Sequence, residues 1–250
     1  MEIFKCKQFS VIQDGVAMKV NTDGMLLGAW AGLPASSSAQ LLDIGTGSGI
    51  IALMLAQRCA PQQGSSWQID ALETHAASAA TAAQNFTNAP WAAHCRLFPL
   101  SLQAYLQQHR GSLYDCIVSN PPYFTNALRP LTEARRLVRH TDSLTHPELL
   151  QGVTALLKNS GRFAVVLPLS EHRAFCQMAR LQGLFLCRET VVHTRPEREA
   201  KRVLMEFAKK EEPLQSDSLY VYNTEGVYSD AYIQLTQDFY LFLPSGLSGD

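Results

Sequence analysis

The chain has no long hydrophobic run, no paired cysteines and no excess of either charge, and each absence excludes a class of protein. No stretch approaches the ~18 consecutive apolar residues of a membrane-crossing helix, so no membrane partner is expected. The first residues, Met1-Glu2-Ile3-Phe4-Lys5-Cys6-Lys7, lack the apolar core and small-residue cleavage site of a secretory leader, and a cytoplasmic location is expected. Six cysteines (Cys6, Cys59, Cys95, Cys116, Cys176 and Cys187) show no Cys-x-x-Cys spacing, and several fall within apolar runs. They read as buried free thiols, not as disulfides or ligands. His140, His146, His172 and His193 also lack ligand spacing, so no metal is expected. Basic and acidic residues number 21 and 22, which obliges any nucleic-acid binder to concentrate its positive charge locally.

What is present describes a globular enzyme. With 46% hydrophobic and 17% charged residues, a chain of 250 can bury a sizeable core. From Gln40 onward, short apolar runs alternate with segments of helical periodicity. Strands are expected at 41–44, 68–72, 95–98, 113–119, 162–167, 184–191 and 203–207. Helices are expected at 50–58, 76–86, 102–108, 147–157 and 171–181. Such alternation implies right-handed βαβ units, hence an α/β, doubly wound, mostly parallel seven-stranded sheet with helices on both faces. Ligands then bind at the carboxyl ends of the strands. Residues 1–38 form a short N-terminal extension closed by the connector Pro34-Ala35-Ser36-Ser37-Ser38, 39–243 form the main domain, and 244–250 are expected to be a disordered tail. The stretch from Glu211-Glu212-Pro213 reads as the start of a polar tail segment, with Leu235 to Leu241 closing the folded part.

The first strand runs into Asp43-Ile44-Gly45-Thr46-Gly47-Ser48-Gly49-Ile50. Gly45, Gly47 and Gly49 allow a ligand close to the backbone, and their N–H groups point at it. A dinucleotide fingerprint needs glycine where this chain has Ile50, and it does not explain Asp43, whose carboxylate repels a pyrophosphate and suits an amine. Glu73, at the tip of the second strand, is placed to accept hydrogen bonds from both hydroxyls of a ribose. Asp43, the glycine turn and Glu73 together favour S-adenosylmethionine over a nicotinamide cofactor.

The fourth strand leads into Asn120-Pro121-Pro122-Tyr123. An amide side chain, carbonyls left without neighbouring N–H donors by two prolines, and an aromatic ring suit a planar group that carries an NH2. A proline-rich turn of purely structural role has the same composition.

Asp43 to Gly49, Glu73 and Asn120 to Tyr123 resemble three motifs of Rossmann-type S-adenosylmethionine-dependent methyltransferases that act on an amino nitrogen. More narrowly, Met18-Lys19-Val20-Asn21-Thr22-Asp23-Gly24, Thr194-Arg195-Pro196-Glu197-Arg198, Ala200-Lys201-Arg202-Val203 and Leu235 to Leu241 resemble the bacterial tRNA1(Val) adenine-N6 methyltransferase family. The resemblance spans nearly the whole folded chain. It implies that Asn120, Pro121, Pro122 and Tyr123 are catalytic. Asp43, Gly45, Thr46, Gly47 and Gly49 would hold the methionine part of the cofactor, with Thr22 and Asp23 folding over it in an N-terminal extension that packs on the site. Glu73 would hold the ribose. Many relatives carry an Asp at the end of the third core strand to contact the cofactor's adenine, whereas this chain has Ser101 there.

Arg129, Arg135, Arg136 and Arg139 follow the tetrapeptide, and Arg195, Arg198, Lys201 and Arg202 lie near the later strands. Brought to one rim, they would track the phosphates of a tRNA. Taken singly, each cluster also reads as a solvated face. The resulting expectation is a tRNA adenine-N6 methyltransferase acting next to the anticodon, as a monomer. A glutamine N5-methyltransferase of the release-factor type shares the tetrapeptide but usually has a helical N-terminal domain, for which about 40 residues leave little room. A noncatalytic cofactor-binding RNA module would not require the intact tetrapeptide.

Overall fold

Adjacent leucines at 41 and 42 belong to different cores. The computed structural model describes residues 2–35, 38–61, 66–111, 113–121 and 144–243. Its strand β3 (Gln40–Ile44) sends Leu41 to one face of a sheet and Leu42 to the other. The same period-2 partition separates Val118 from Ile117, Val166 from Val165 and Leu204 from Val203. Burial on both faces explains why these strands read as continuous apolar runs.

The main sheet holds β3, β4 (Gln68–Leu72), β5 (Cys95–Phe98), β6 (Tyr114–Ser119), β7 (Leu157–Pro168), β8 (Phe185–His193), β9 (Arg202–Ala208) and β10 (Gln215–Tyr220), in the order β10-β8-β9-β7-β6-β3-β4-β5. Strand β9 is antiparallel to both of its neighbours, β7 and β8, and the other pairs are parallel. The chain winds outward from β3 through β4 to β5, then crosses back to β6, so β3 and β6 flank the point where strand order reverses. That is where an open α/β sheet leaves a crevice at its carboxyl edge.

Seven strands were expected, and among the described residues the sheet has eight. The addition, β10, runs parallel to β8 through a stretch that reads as a polar tail. Of its six residues only Leu219 is buried, so it carries no alternating pattern. The N-terminal extension also holds structure that its sequence did not announce. An antiparallel hairpin pairs β1 (Ile3–Lys5) with β2 (Ser10–Ile12) and precedes helix α1 (Thr22–Trp30). Residues 24–30 of α1 are all buried, which removes the amphipathic stripe by which a surface helix is recognised. Asn21 caps α1 by accepting the Gly24 N–H at 2.9 Å.

Helices α2 (Ile50–Cys59), α3 (Ala76–Asn88) and α1 cover one face, and α4 (Leu102–Gln108), α5 (His146–Leu156) and α6 (His172–Leu181) cover the other. A last helix, α7 (Asp230–Thr236), packs against α1. Helix α5 begins with a reciprocal capping box between Thr145 and Glu148, with Pro147 in its first turn. All six cysteines are free thiols; Cys6, Cys59, Cys116 and Cys187 are buried, whereas Cys95 and Cys176 are only half-buried, and desolvation pushes the Cys6 and Cys95 thiols up to about 12 and those of Cys59 and Cys176 to about 11. Among the described residues no helix is long and apolar enough to cross a membrane, and no His, Cys, Asp or Glu group could hold a metal ion.

Candidate active site

Strand register brings three distant segments together. Ile44 pairs with Leu72 on one side and with Ser119 on the other, so the next residues, Gly45, Glu73 and Asn120, leave three adjacent strands at the same level. Neighbouring strands lie ~4.8 Å apart. The Ser119 hydroxyl donates to the Ile44 carbonyl at 2.9 Å, locking the two central tips together.

A cavity of about 980 Å³ opens above them. Its wall includes Gly45, Thr46, Gly47, Glu73, Ser101, Asn120 and Pro121, and so joins the glycine turn to the first half of the tetrapeptide. Gly45 and Gly47 have φ of +75° and +58°, and a Cβ at either would meet nothing within 4 Å. The turn therefore presents bare backbone to open space, as a cradle for a bound group must.

Gly49 serves differently. It is the N-cap of α2 with φ +84°, and a Cβ there would come within 2.6 Å of the Phe86 ring. We expect Gly49→Ala to cost about 2 to 4 kcal/mol, from left-handed backbone strain plus overpacking. A fall in the urea midpoint at unchanged slope checks this.

Asp43 is fully buried behind the turn. Its Oδ2 accepts the Thr46 hydroxyl at 2.6 Å, and its Oδ1 has no hydrogen-bond partner. Burial pushes its pKa from 3.8 up to about 7, with Glu73 adding repulsion and the Thr46 hydroxyl and Ala52 amide pulling the other way. Asp43 does not itself line the cavity, and its carboxylate bears through the covering turn on a ligand that carries a cationic amine, as S-adenosylmethionine does. Glu73 takes the Gly47 N–H on Oε2 and the His75 N–H on Oε1, both at 2.8 Å. Each carboxylate oxygen has capacity for one further donor.

The remaining expected residues separate. Ser101 is the N-cap of α4 and lines the cavity, its Oγ accepting the Ala104 N–H at 3.1 Å. Thr22 is exposed and Asp23 half-buried, and the wall in this region is made by Ala17 to Asn21 and Gly24. Asp23 instead receives the Arg202 guanidinium at 2.8 Å, so an expected cofactor residue and an expected RNA residue meet in one ion pair that ties α1 to β9. Strand β8 is parallel to β7 through their shared neighbour β9, so the β8–β9 connection lies at the same edge as the cavity. Arg195, Arg198 and Lys201 are exposed there. Pro122, Tyr123, Arg129, Arg135, Arg136 and Arg139 lie outside the described residues.

Sequence reasoning missed Asn85, on α3. This buried amide donates to the Ser48 carbonyl at 2.8 Å and exchanges hydrogen bonds with the backbone of Ile12, binding the glycine turn to the N-terminal hairpin. An Asn on the inner face of an alanine-rich helix was its only signal. Lys19, Gln103 and Glu148 also line the cavity and were not singled out as its residues.

A model of the methyltransferase small domain family matches residues 26–169. With the reversing sheet and the glycine cradle, that match defines the class as a Rossmann-like methyltransferase. A predicted O-methyltransferase from Agrobacterium tumefaciens aligns with a TM-score of 0.66 at 16% identity, over 87% of this chain and 96% of that one, which is a likeness of fold. The tRNA1(Val) (adenine(37)-N6)-methyltransferases of Bacteroides fragilis and Trichodesmium erythraeum are 43% and 42% identical to it, each match covering 95% of this chain and 97% of the relative. The chain belongs to that family.

Proposed function

We propose that this chain transfers the methyl group of S-adenosylmethionine to the N6 amine of an adenosine in tRNA, at position 37 beside the anticodon of tRNA1(Val), working as a cytoplasmic monomer. The observation that carries this reading is that Asn120 and Pro121 line the same cavity as the glycine cradle, one strand away from it.

When bound, S-adenosylmethionine supplies an electrophilic methyl group on a sulfonium whose departure leaves a neutral thioether. Asp43 and the Gly45 to Gly49 turn hold its methionine end, and Asp23, fixed by Arg202, sets the N-terminus of α1 beside it. Glu73 accepts from the ribose hydroxyls. The Ser101 hydroxyl, which already accepts the Ala104 N–H, keeps its own hydrogen to donate to the adenine ring.

An adenine N6 is a poor nucleophile because its lone pair is delocalised into the ring. Asn120 Oδ1 and the Pro121 carbonyl accept its two hydrogens, draw the nitrogen toward a tetrahedral shape and stabilise the positive charge that develops. Alignment of this kind supplies ~7 to 11 kcal/mol of barrier reduction, so no strong base is required, and the cationic N-methylated amine, strongly acidic, gives up its extra proton to water. By sequence, Tyr123 stacks on the base, worth roughly 1 to 3 kcal/mol against the cost of unstacking it from the RNA.

The direct test is to incubate the protein with labelled S-adenosylmethionine and either total tRNA or a release factor. N6-methyladenosine in the tRNA is the expected product, and label confined to protein would overturn the reading. Binding to tRNA should also weaken steeply with salt. Arg198→Ala is expected to flatten the plot of log affinity against log salt by roughly 0.7 to 1, the share of one phosphate contact.

A further inference from the structure

We propose that Tyr220 and His193, paired at the ends of β10 and β8, form a base-stacking platform for an unpaired nucleotide of the RNA substrate a few positions from the methylated one. The proposal rests on the RNA reading above and adds a second contact site to it.

Strand β10 is among the elements that the sequence did not announce, and it delivers an aromatic ring to the functional edge. Because β10 is parallel to β8, which is parallel to β7, its carboxyl end lies on the same rim as Asn120. Four strand spacings separate β10 from β6, or about 19 Å at ~4.8 Å each. The β8–β9 connection, with Arg195, Arg198 and Lys201 exposed, stands between them. Moving along the rim from the catalytic loop, a chain of nucleotides would first meet cations and then rings.

The rings are built to stay in place. Tyr220 and His193 are register partners, and their rings stack with centroids 4.7 Å apart at 28°. The Arg198 carbonyl can only accept, so His193 Nδ1 carries the hydrogen in their 3.2 Å contact, which fixes the ring and its tautomer. Backbone bonds from Val221 N–H to the His193 carbonyl and from Tyr222 N–H to the Thr194 carbonyl continue the pairing past the ends of both strands. The Ser229 hydroxyl donates to the Tyr220 carbonyl at 2.5 Å. Just past the end of β10, Tyr222 stacks on Tyr228 and Tyr228 on the buried Tyr232, with the Arg195 guanidinium 6.0 Å from the Tyr222 ring.

Tyr220 nevertheless remains 37% exposed, an unusual investment of a fixed aromatic pair unless something stacks on it. Protein surfaces that bind single-stranded nucleic acid combine such rings with a cationic track, because every base has a π-face and every linkage a phosphate. Arg195 lies 4.0 Å from Glu197, and Glu199 is exposed in the same connection, but the three cations Arg195, Arg198 and Lys201 outnumber the two acids and favour the phosphates of RNA as the occupant.

The test is steady-state methylation of a tRNA transcript by the full chain. Tyr220→Ala and His193→Ala should each raise KM for the RNA roughly 5- to 100-fold, the effect of losing one stacked base, with kcat and affinity for S-adenosylhomocysteine within about twofold of the parent. Tyr220→Phe, which keeps the ring, should restore the parent KM. The salt dependence of RNA binding should be unchanged in Tyr220→Ala. An unchanged KM in Tyr220→Ala overturns the platform, as does an equal loss in Tyr220→Phe. If the unmodified protein methylates RNA but Tyr220→Ala matches it, only the platform falls. If the unmodified protein methylates no RNA, the reading of the active site falls first.

Discussion

Asn120→Ala is expected to lower turnover by ~10²-fold or more while leaving S-adenosylhomocysteine affinity within about twofold. The side chain follows Ser119, which is buried and whose hydroxyl is tied to the Ile44 carbonyl, so its position is set by the two central strands. An acceptor held there needs no reorganisation when charge develops on the target nitrogen. Removing one preorganised contact of this type costs about 2.7 to 4 kcal/mol of transition-state stabilisation. Cofactor affinity is largely spared because the cradle is formed by a separate turn after β3. Asn120→Asp keeps an acceptor oxygen but loses the amide, and intermediate turnover is expected. Single-turnover methyl transfer, measured beside cofactor titrations, separates the two quantities. Near-parental turnover in Asn120→Ala would remove Asn120 from the chemistry.

Ligand-free protein should lose stability as pH rises from about 4 to about 7, and Asp43→Asn should abolish that loss. The carboxyl titrates near 7 in the folded state against an ordinary 3.8. Between those values the folded chain keeps a proton that the unfolded chain has released, so stability is complete below the lower value and drains away through the upper one. Three units correspond to roughly 4 kcal/mol. Urea unfolding at a series of pH values reads this directly, and a flat profile in the parent protein would refute it. The same burial predicts a coupling to the ligand. A cationic amine beside the orphaned Oδ1 favours the ionised acid, so cofactor binding at pH 6 should release about one proton. Calorimetry in two buffers of different ionisation enthalpy measures the number.

The parts of the site that were legible were those with a local reason to exist. Gly45 and Gly47 could be read because positive φ beside open space admits little else, and Asp43 because a carboxylate there contradicts a pyrophosphate. The core strands β3, β4, β6, β7 and β9 were legible because two-sided burial demands apolar runs. Strand β10 was not, since an edge strand with one buried residue is set by its pairing with β8, a partner 27 residues away in register. Helix α1 was hidden by its own burial, and Asn85 by having no chemistry apart from the hairpin and turn that it joins.

The sequence by itself determined the alternation of strands and helices, the glycine turn after β3 and the amide followed by two prolines after β6, because each depends on backbone preference and functional groups within a few residues. Tertiary structure alone decided that these two motifs, 75 residues apart in register, share one cavity, that Asp23 and Arg202 pair with each other, and that Tyr220 reaches the same rim. Those outcomes follow from strand order and from the one reversed strand, β9, which returns β8 and β10 to the direction of the central strands. Such pairings are fixed by long-range burial and hydrogen bonding, to which no short window of sequence responds.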